Sequence, residues 1–138
     1  MTLLDAYALI AFVAGGPARA EVREILRSGD AGIATANLVE VLDVCSRVKG
    51  LAIERVLDVI DPLFEAALRE VPLDGGRARH AASIRATHYH RESCPISLAD
   101  AVLLASASAG DRIATADPDV LAVAAAEGIE PLALPAGG

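Results

Sequence analysis

Short apolar runs alternate along the chain with longer segments of helical periodicity. "MTLL" at 1–4, "AGIAT" at 31–35, "EVPL" at 70–73, "RIAT" at 112–115 and "IEPLAL" at 129–134 read as five strands. Residues 5–14 read as a helix that Gly15 and Gly16 stop. Pro17 suits the first turn of the next helix, "ARAEVREILRSG", which Gly29 ends. "NLVEVLDVCSRVKG" puts Leu38, Val41, Leu42, Cys45 and Val48 on one helical arc, with Gly50 as its stop. "AIERVLDVI" continues as helix, and Asp61-Pro62 is expected to cap a new segment through "LFEAALR". A long helix then runs to the break "SCPI", followed by an apolar helix around Asp100 and, between the last two strands, by "PDVLAVAAAEG". Connections this long do not make hairpins, and strands this apolar are covered on both sides. The pattern predicts one α/β domain over residues 1–138: a parallel five-stranded sheet with helices on both faces.

Composition sharpens this reading in three places. Hydrophobic residues make up 54% of the chain, which places it among folding sequences and not disordered ones. A formal charge of −7 argues against broad electrostatic attraction to nucleic acid or anionic membranes, while leaving room for a local basic patch. The two cysteines, Cys45 and Cys94, are too few for a disulfide scaffold and lack metal-site spacing, so a reduced, cytoplasmic setting is expected. "MTLLDAYALIAFVAGG" has no positive residue ahead of its apolar run and is interrupted by Asp5, so it reads neither as an export signal nor as a membrane span.

Four acids stand out against this apolar background. Asp5 is the only charged side chain before Arg19, at the end of the first strand. Glu40 falls in the first helical turn after the second strand. Asp100 is the sole charge in "ISLADAVLLASASAG", with no Lys or Arg between Arg91 and Arg112. Asp117 follows the fourth strand in "IATADPD", with Asp119 two places on as a first-turn acid. Each has a structural explanation. "NLVE" and "SLAD" match the capping-box pattern, and Asp5 and Asp117 are suitable N-caps. Capping explains a helix start, however, and not an apolar setting. Asp5, Glu40 and Asp117 should share the carboxyl edge of the sheet, where α/β ligand crevices form, and Asp100 joins them if its helix starts there. Two carboxylates 4 Å apart repel by about 4 kcal/mol at an effective dielectric near 20. Such a cluster protonates or holds a cation, and oxygen ligands without His or Cys favour Mg²⁺ or, in its place, Mn²⁺.

"LLDAYALIAF", "ANLVEVL", "ISLADAVLLASA" and "IATADPDV" resemble the four acidic motifs of PIN domains, in the same order. Length and motif order resemble the VapC-type toxins in particular. The resemblance implies a parallel five-stranded sheet, an acidic Mg²⁺/Mn²⁺ site and endoribonuclease activity. It also implies a homodimer and inhibition by a cognate VapB-type antitoxin. Asp5, Glu40, Asp100 and Asp117 match the family's metal-site acids, Thr115 matches the hydroxyl residue that precedes the fourth acid, and Thr115 and Asp119 are auxiliary candidates for the site. Asn37 falls where the family often carries a small polar residue. Val120 stands where the fourth motif often has an aromatic.

A candidate RNA contact lies in "RARHAASIRATHYHR", residues 77–91, where one continuous helix would align Arg77, His80, His88 and Arg91. The plain alternative is a solvated helix face. Two further readings of the whole chain stand beside the nuclease: a PIN-like fold serving as a protein-binding scaffold, and a receiver-like phosphoacceptor. The latter lacks a suitable lysine, since Lys49 is the only one in the chain and sits at a helix end.

Overall fold

Leu3 and Leu4 are adjacent in the first strand and both fully buried, so the sheet is covered on both faces. Leu4, Ile33 and Ala114 belong to one core layer, and Leu3, Ala34 and Ile113 to the other. The computed structural model describes residues 1–137. Its strands are β1 (Thr2–Leu4), β2 (Ala31–Ala34), β3 (Leu68–Val71), β4 (Arg112–Thr115) and β5 (Glu130–Ala133). They form the predicted five-stranded sheet in the order β3-β2-β1-β4-β5, and every neighbouring pair is parallel.

Helices α1 (Ala6–Ala14), α2 (Arg19–Arg27), α3 (Thr35–Asp43) and α4 (Ile53–Ala66) pack on the Leu4 side. Helices α5 (Gly75–His88), α6 (Leu98–Ser106) and α7 (Pro118–Ala126) pack on the Leu3 side. Gly15 stops α1 as expected, at a φ of 88° that residues with a Cβ rarely adopt.

Four expectations need correction. Asp61-Pro62 caps no new segment, because α4 runs through both residues. Val56, Ile60, Leu63 and Phe64 keep one apolar stripe in phase across the proline. Pro62 and Asp58 are exposed, so water can take the carbonyl that Pro62 cannot reach. The third strand is displaced by two residues, from 70–73 to Leu68–Val71, and stops where Pro72 offers no N–H to the ladder. The helix expected from Asn37 starts at Thr35, directly from β2. It widens into a π turn over Val44–Val48, which takes Val48 off the predicted arc and leaves it 59% exposed. Finally, the 77–91 segment is not one helix: α5 ends at His88, and His90 and Cys94 form an isolated antiparallel bridge beyond it.

Candidate metal centre

The sheet order reverses at its centre. The chain passes from β1 to β2 and β3 on one side, and β4 and β5 lie on the other. The crevice at the carboxyl ends of β1 and β4 is therefore the topological switch point, the usual ligand position in such sheets. Asp5 leaves β1 there and caps α1, its Oδ1 accepting from the Ala8 N–H at 2.9 Å. Thr115 ends β4 and donates its hydroxyl to Asp5 Oδ2 at 2.5 Å, while accepting from the Asp117 N–H at 3.1 Å. Asp117 caps α7 through the Asp119 N–H at 2.8 Å, with Pro118 at the first helical position.

The other two acids arrive on helices from opposite layers. "SLAD" forms the expected capping box: Ser97 Oγ accepts from the Asp100 N–H at 3.0 Å, and Asp100 Oδ2 from the Ser97 N–H at 2.9 Å. "NLVE" forms none. The N-cap of α3 is Ala34, so Asn37 lies inside the helix, buried, with Glu40 one turn further on. Asp5, Asn37, Glu40, Asp100 and Asp117 line one cleft of about 330 Å³, together with Tyr7, Ala6 and Ala116. Tyr7, whose hydroxyl donates to the Pro135 carbonyl at 2.6 Å, carried no signal in the sequence that marked it for this wall. Asp119 does not line the cleft, although its charge reaches Asp100.

No cationic side chain lines this cleft. Burial pushes Asp5 up to about 6; hydrogen bonds from Thr115 and Ala8 oppose the rise, and Asp100 and Asp117 add to it. Glu40 is raised by burial and then by repulsion from Asp100 and Asp5. Asp100 is raised by burial, held back by its two bonds with Ser97, and raised again by Asp117 and Asp119. The donor set suits a hard cation: four carboxylates and one amide oxygen, with no sulfur or imidazole. The carboxylates line a shared space without closing on one point, and no three His, Cys, Asp or Glu side chains among the described residues form a ready coordination sphere. Asp100 Oδ1, Asp117 Oδ2 and both Glu40 oxygens are not committed to the hydrogen bonds that hold these helices, so the residues fit a divalent ion that enters the cleft.

The basic stripe is engaged elsewhere. Arg77 donates to the Pro72 carbonyl at 3.1 Å and pairs with Asp74 at 3.3 Å. His88 lies 2.9 Å and His80 4.0 Å from Glu127, and Arg91 is outside the helix beside Glu92.

A parallel α/β sheet with carboxylates gathered at its switch point defines the class of this molecule. The model of the PIN domain matches residues 2–126, and the chain belongs to the PIN domain family. No curated protein is significantly similar to it in sequence. Among solved structures, DNA-bound VapBC from Salmonella typhimurium is 24% identical with a TM-score of 0.68, covering 94% of this chain and 95% of that one. VapBC2 from Rickettsia felis, bound to a DNA fragment from its promoter, is 12% identical with a TM-score of 0.71, covering 97% and 98%. FitAcB from Neisseria gonorrhoeae is 21% identical with a TM-score of 0.63, covering 96% of each chain.

Proposed function

We propose that this chain is a metal-dependent endoribonuclease, the VapC-type toxin of a toxin–antitoxin pair. The observation that carries the reading is the cleft itself. Asp5, Glu40, Asp100 and Asp117 reach it from β1, α3, α6 and the end of β4, with nothing cationic in its wall to balance them. Side chains that only capped helices would have no reason to converge on one crevice.

Mg²⁺ or Mn²⁺ bound there would supply a water acidic enough to attack a phosphodiester and charge to stabilise the leaving oxygen. The protein's own residues hold ligands still. Ala8 and Thr115 fix Asp5, Ser97 fixes Asp100, and the Asp119 N–H fixes Asp117. Glu40 has no such tether and is the acid free to adjust. The covered sheet edge keeps bulk water from Asp5, which strengthens its pull on a cation.

The partner in this reading is a VapB-type antitoxin, consistent with the VapBC relatives among solved structures. Val39, Val48 and Leu98, each more than half exposed, supply apolar surface for that complex and for a homodimer. No described helix is long and apolar enough to cross a membrane. The test is RNA cleavage with Mg²⁺, Mn²⁺ and EDTA. Activity that needs a divalent ion supports the reading, and cleavage undiminished in EDTA refutes it. Sedimentation across micromolar concentrations checks the dimer separately: a monomer throughout removes that claim alone.

A further inference from the structure

One acceptor in the cleft wall has no partner. Asn37 is 1% exposed, and its Oδ1 is the single buried side-chain nitrogen or oxygen among the described residues that no hydrogen bond reaches. An atom left so costs roughly 1–3 kcal/mol, and native interiors contain few of them. Capping does not account for it, since Ala34 holds the cap position of α3. Packing does not either, because an apolar side chain of similar size would fill the same space without the unpaired atom.

Its position does account for it. Asn37 lines the same cleft as the four acids, and Glu40 follows it one turn later on the same helix face. A fifth carboxylate there would add to repulsion that already raises Asp5, Glu40 and Asp100. An amide oxygen adds acceptor capacity without adding charge. Mg²⁺ gives up its waters reluctantly, and each retained water directs its protons away from the ion, toward acceptors in the wall.

We propose that Asn37 is a positioning residue for the cation of this cleft, its Oδ1 accepting a hydrogen bond from a water that the bound Mg²⁺ or Mn²⁺ retains. This inference rests on the metal reading above and assigns a residue that lies outside the four acids.

The experiment is calorimetric titration of Mn²⁺ into the metal-free full chain, with thermal melts in EDTA alongside. Asn37→Leu removes the unpaired oxygen, so its metal-free form melts at or above wild type. Its Mn²⁺ affinity falls by about tenfold or more, the usual effect of losing an outer-shell partner. Asn37→Asp restores an acceptor of the same size and binds Mn²⁺ at least as tightly as wild type. A role in packing alone predicts unchanged affinity in Asn37→Leu. If Asn37→Leu does not fold, Asn37→Ala replaces it, with the same tenfold loss expected. Wild-type affinity in the apolar variant overturns the assignment, as does weaker binding by Asn37→Asp. If wild type itself takes up no Mn²⁺, the metal reading falls and this inference with it; if wild type binds and Asn37→Leu binds equally, only the assignment of Asn37 falls.

Discussion

"NLVE" at 37–40 and "SLAD" at 97–100 carry the same pattern, a small polar residue with an acid three places later, yet they fold differently. Ser97 is reached by an irregular segment whose extended end leaves its side chain free to turn back on the helix. Asn37 is preceded by a strand that runs into α3 without a linker, so the helix has already begun at Thr35. The cap position falls on Ala34, whose methyl group can accept no hydrogen bond. A capping box therefore depends on what precedes it as well as on its own four residues. Both acids nevertheless reach the same cleft, Asp100 tethered and Glu40 not.

The largest effect that separates a metal site from two helix starts is on cleavage. Asp100→Asn keeps the size and much of the capping, and Glu40→Gln alters no cap at all. Each should lower RNA cleavage roughly 100- to 1000-fold, since several kcal/mol of charge stabilisation depend on the bound ion. Full activity in either variant, with the fold intact by circular dichroism, would remove that acid from the centre.

Stability should respond next. Asp5 has a folded pKa of about 6 against an ordinary 3.8. Between those values the folded state binds more protons than the unfolded state, so stability falls as pH rises through that window. Two units at about 1.4 kcal/mol each give roughly 3 kcal/mol, present below about pH 4 and lost above about pH 6. In metal-free protein, subtracting the urea-unfolding profile of Asp5→Asn from that of wild type should isolate this decline. A difference that rises with pH would mean that Asp5 is stabilised by its hydrogen bonds more than it is penalised by burial. At neutral pH, divalent ion at about 100 times its dissociation constant should restore roughly 2.7 kcal/mol. Asp100→Asn should lose most of that increment, and an equal response in the two proteins would argue against any metal site.

A smaller effect tests the caps themselves. Ser97→Ala breaks a formed capping box and should cost about 1 kcal/mol in urea unfolding. Asn37→Leu, at the matching position of the other stretch, should cost the metal-free protein nothing. Equal losses at the two sites would mean that the stretches behave alike after all.

These contrasts also mark how far the sequence reaches. The five strands and the convergence of the acids were legible because buried parallel strands are apolar runs and an isolated charge in such a run is conspicuous. The start of α3 was not, because Thr35 and Ala36 belong as readily to a strand as to a first turn, and only the register of Ala34 against Val71 ends the strand. Pro62 suggests a break by its local chemistry, whereas the phase of Val56, Ile60 and Phe64 across it carries the helix through. The stripe over 77–91 resembles a free basic surface in sequence because one partner, Glu127, lies just beyond the end of α7 and far along the chain, while Asp74, the N-cap of α5, takes up Arg77. Periodicity shows which face a residue occupies, but not which charges meet it there.

The smallest predicted effect lies at α7, where two acids share a single turn. Asp117 caps the helix and lines the cleft, whereas Asp119 gives up only its backbone N–H to Asp117 and stands outside the lining. As a first-turn acid, Asp119 gains from the helix dipole, an effect of roughly 0.3–1 kcal/mol at an accessible position. Against this, its charge disfavours ionised Asp100, so Asp119→Asn also relieves some repulsion in the metal-free cleft. The two terms oppose each other, and the net change in stability should stay within about 0.5 kcal/mol, the usual range for surface substitutions. Cleavage by Asp119→Asn should remain within a few-fold of wild type while Asp117→Asn falls with the other ligands, read in one assay at saturating Mg²⁺. An Asp119→Asn variant as impaired as Asp117→Asn would transfer the fourth ligand to Asp119 and leave Asp117 a cap, as "SLAD" would have been without its cleft.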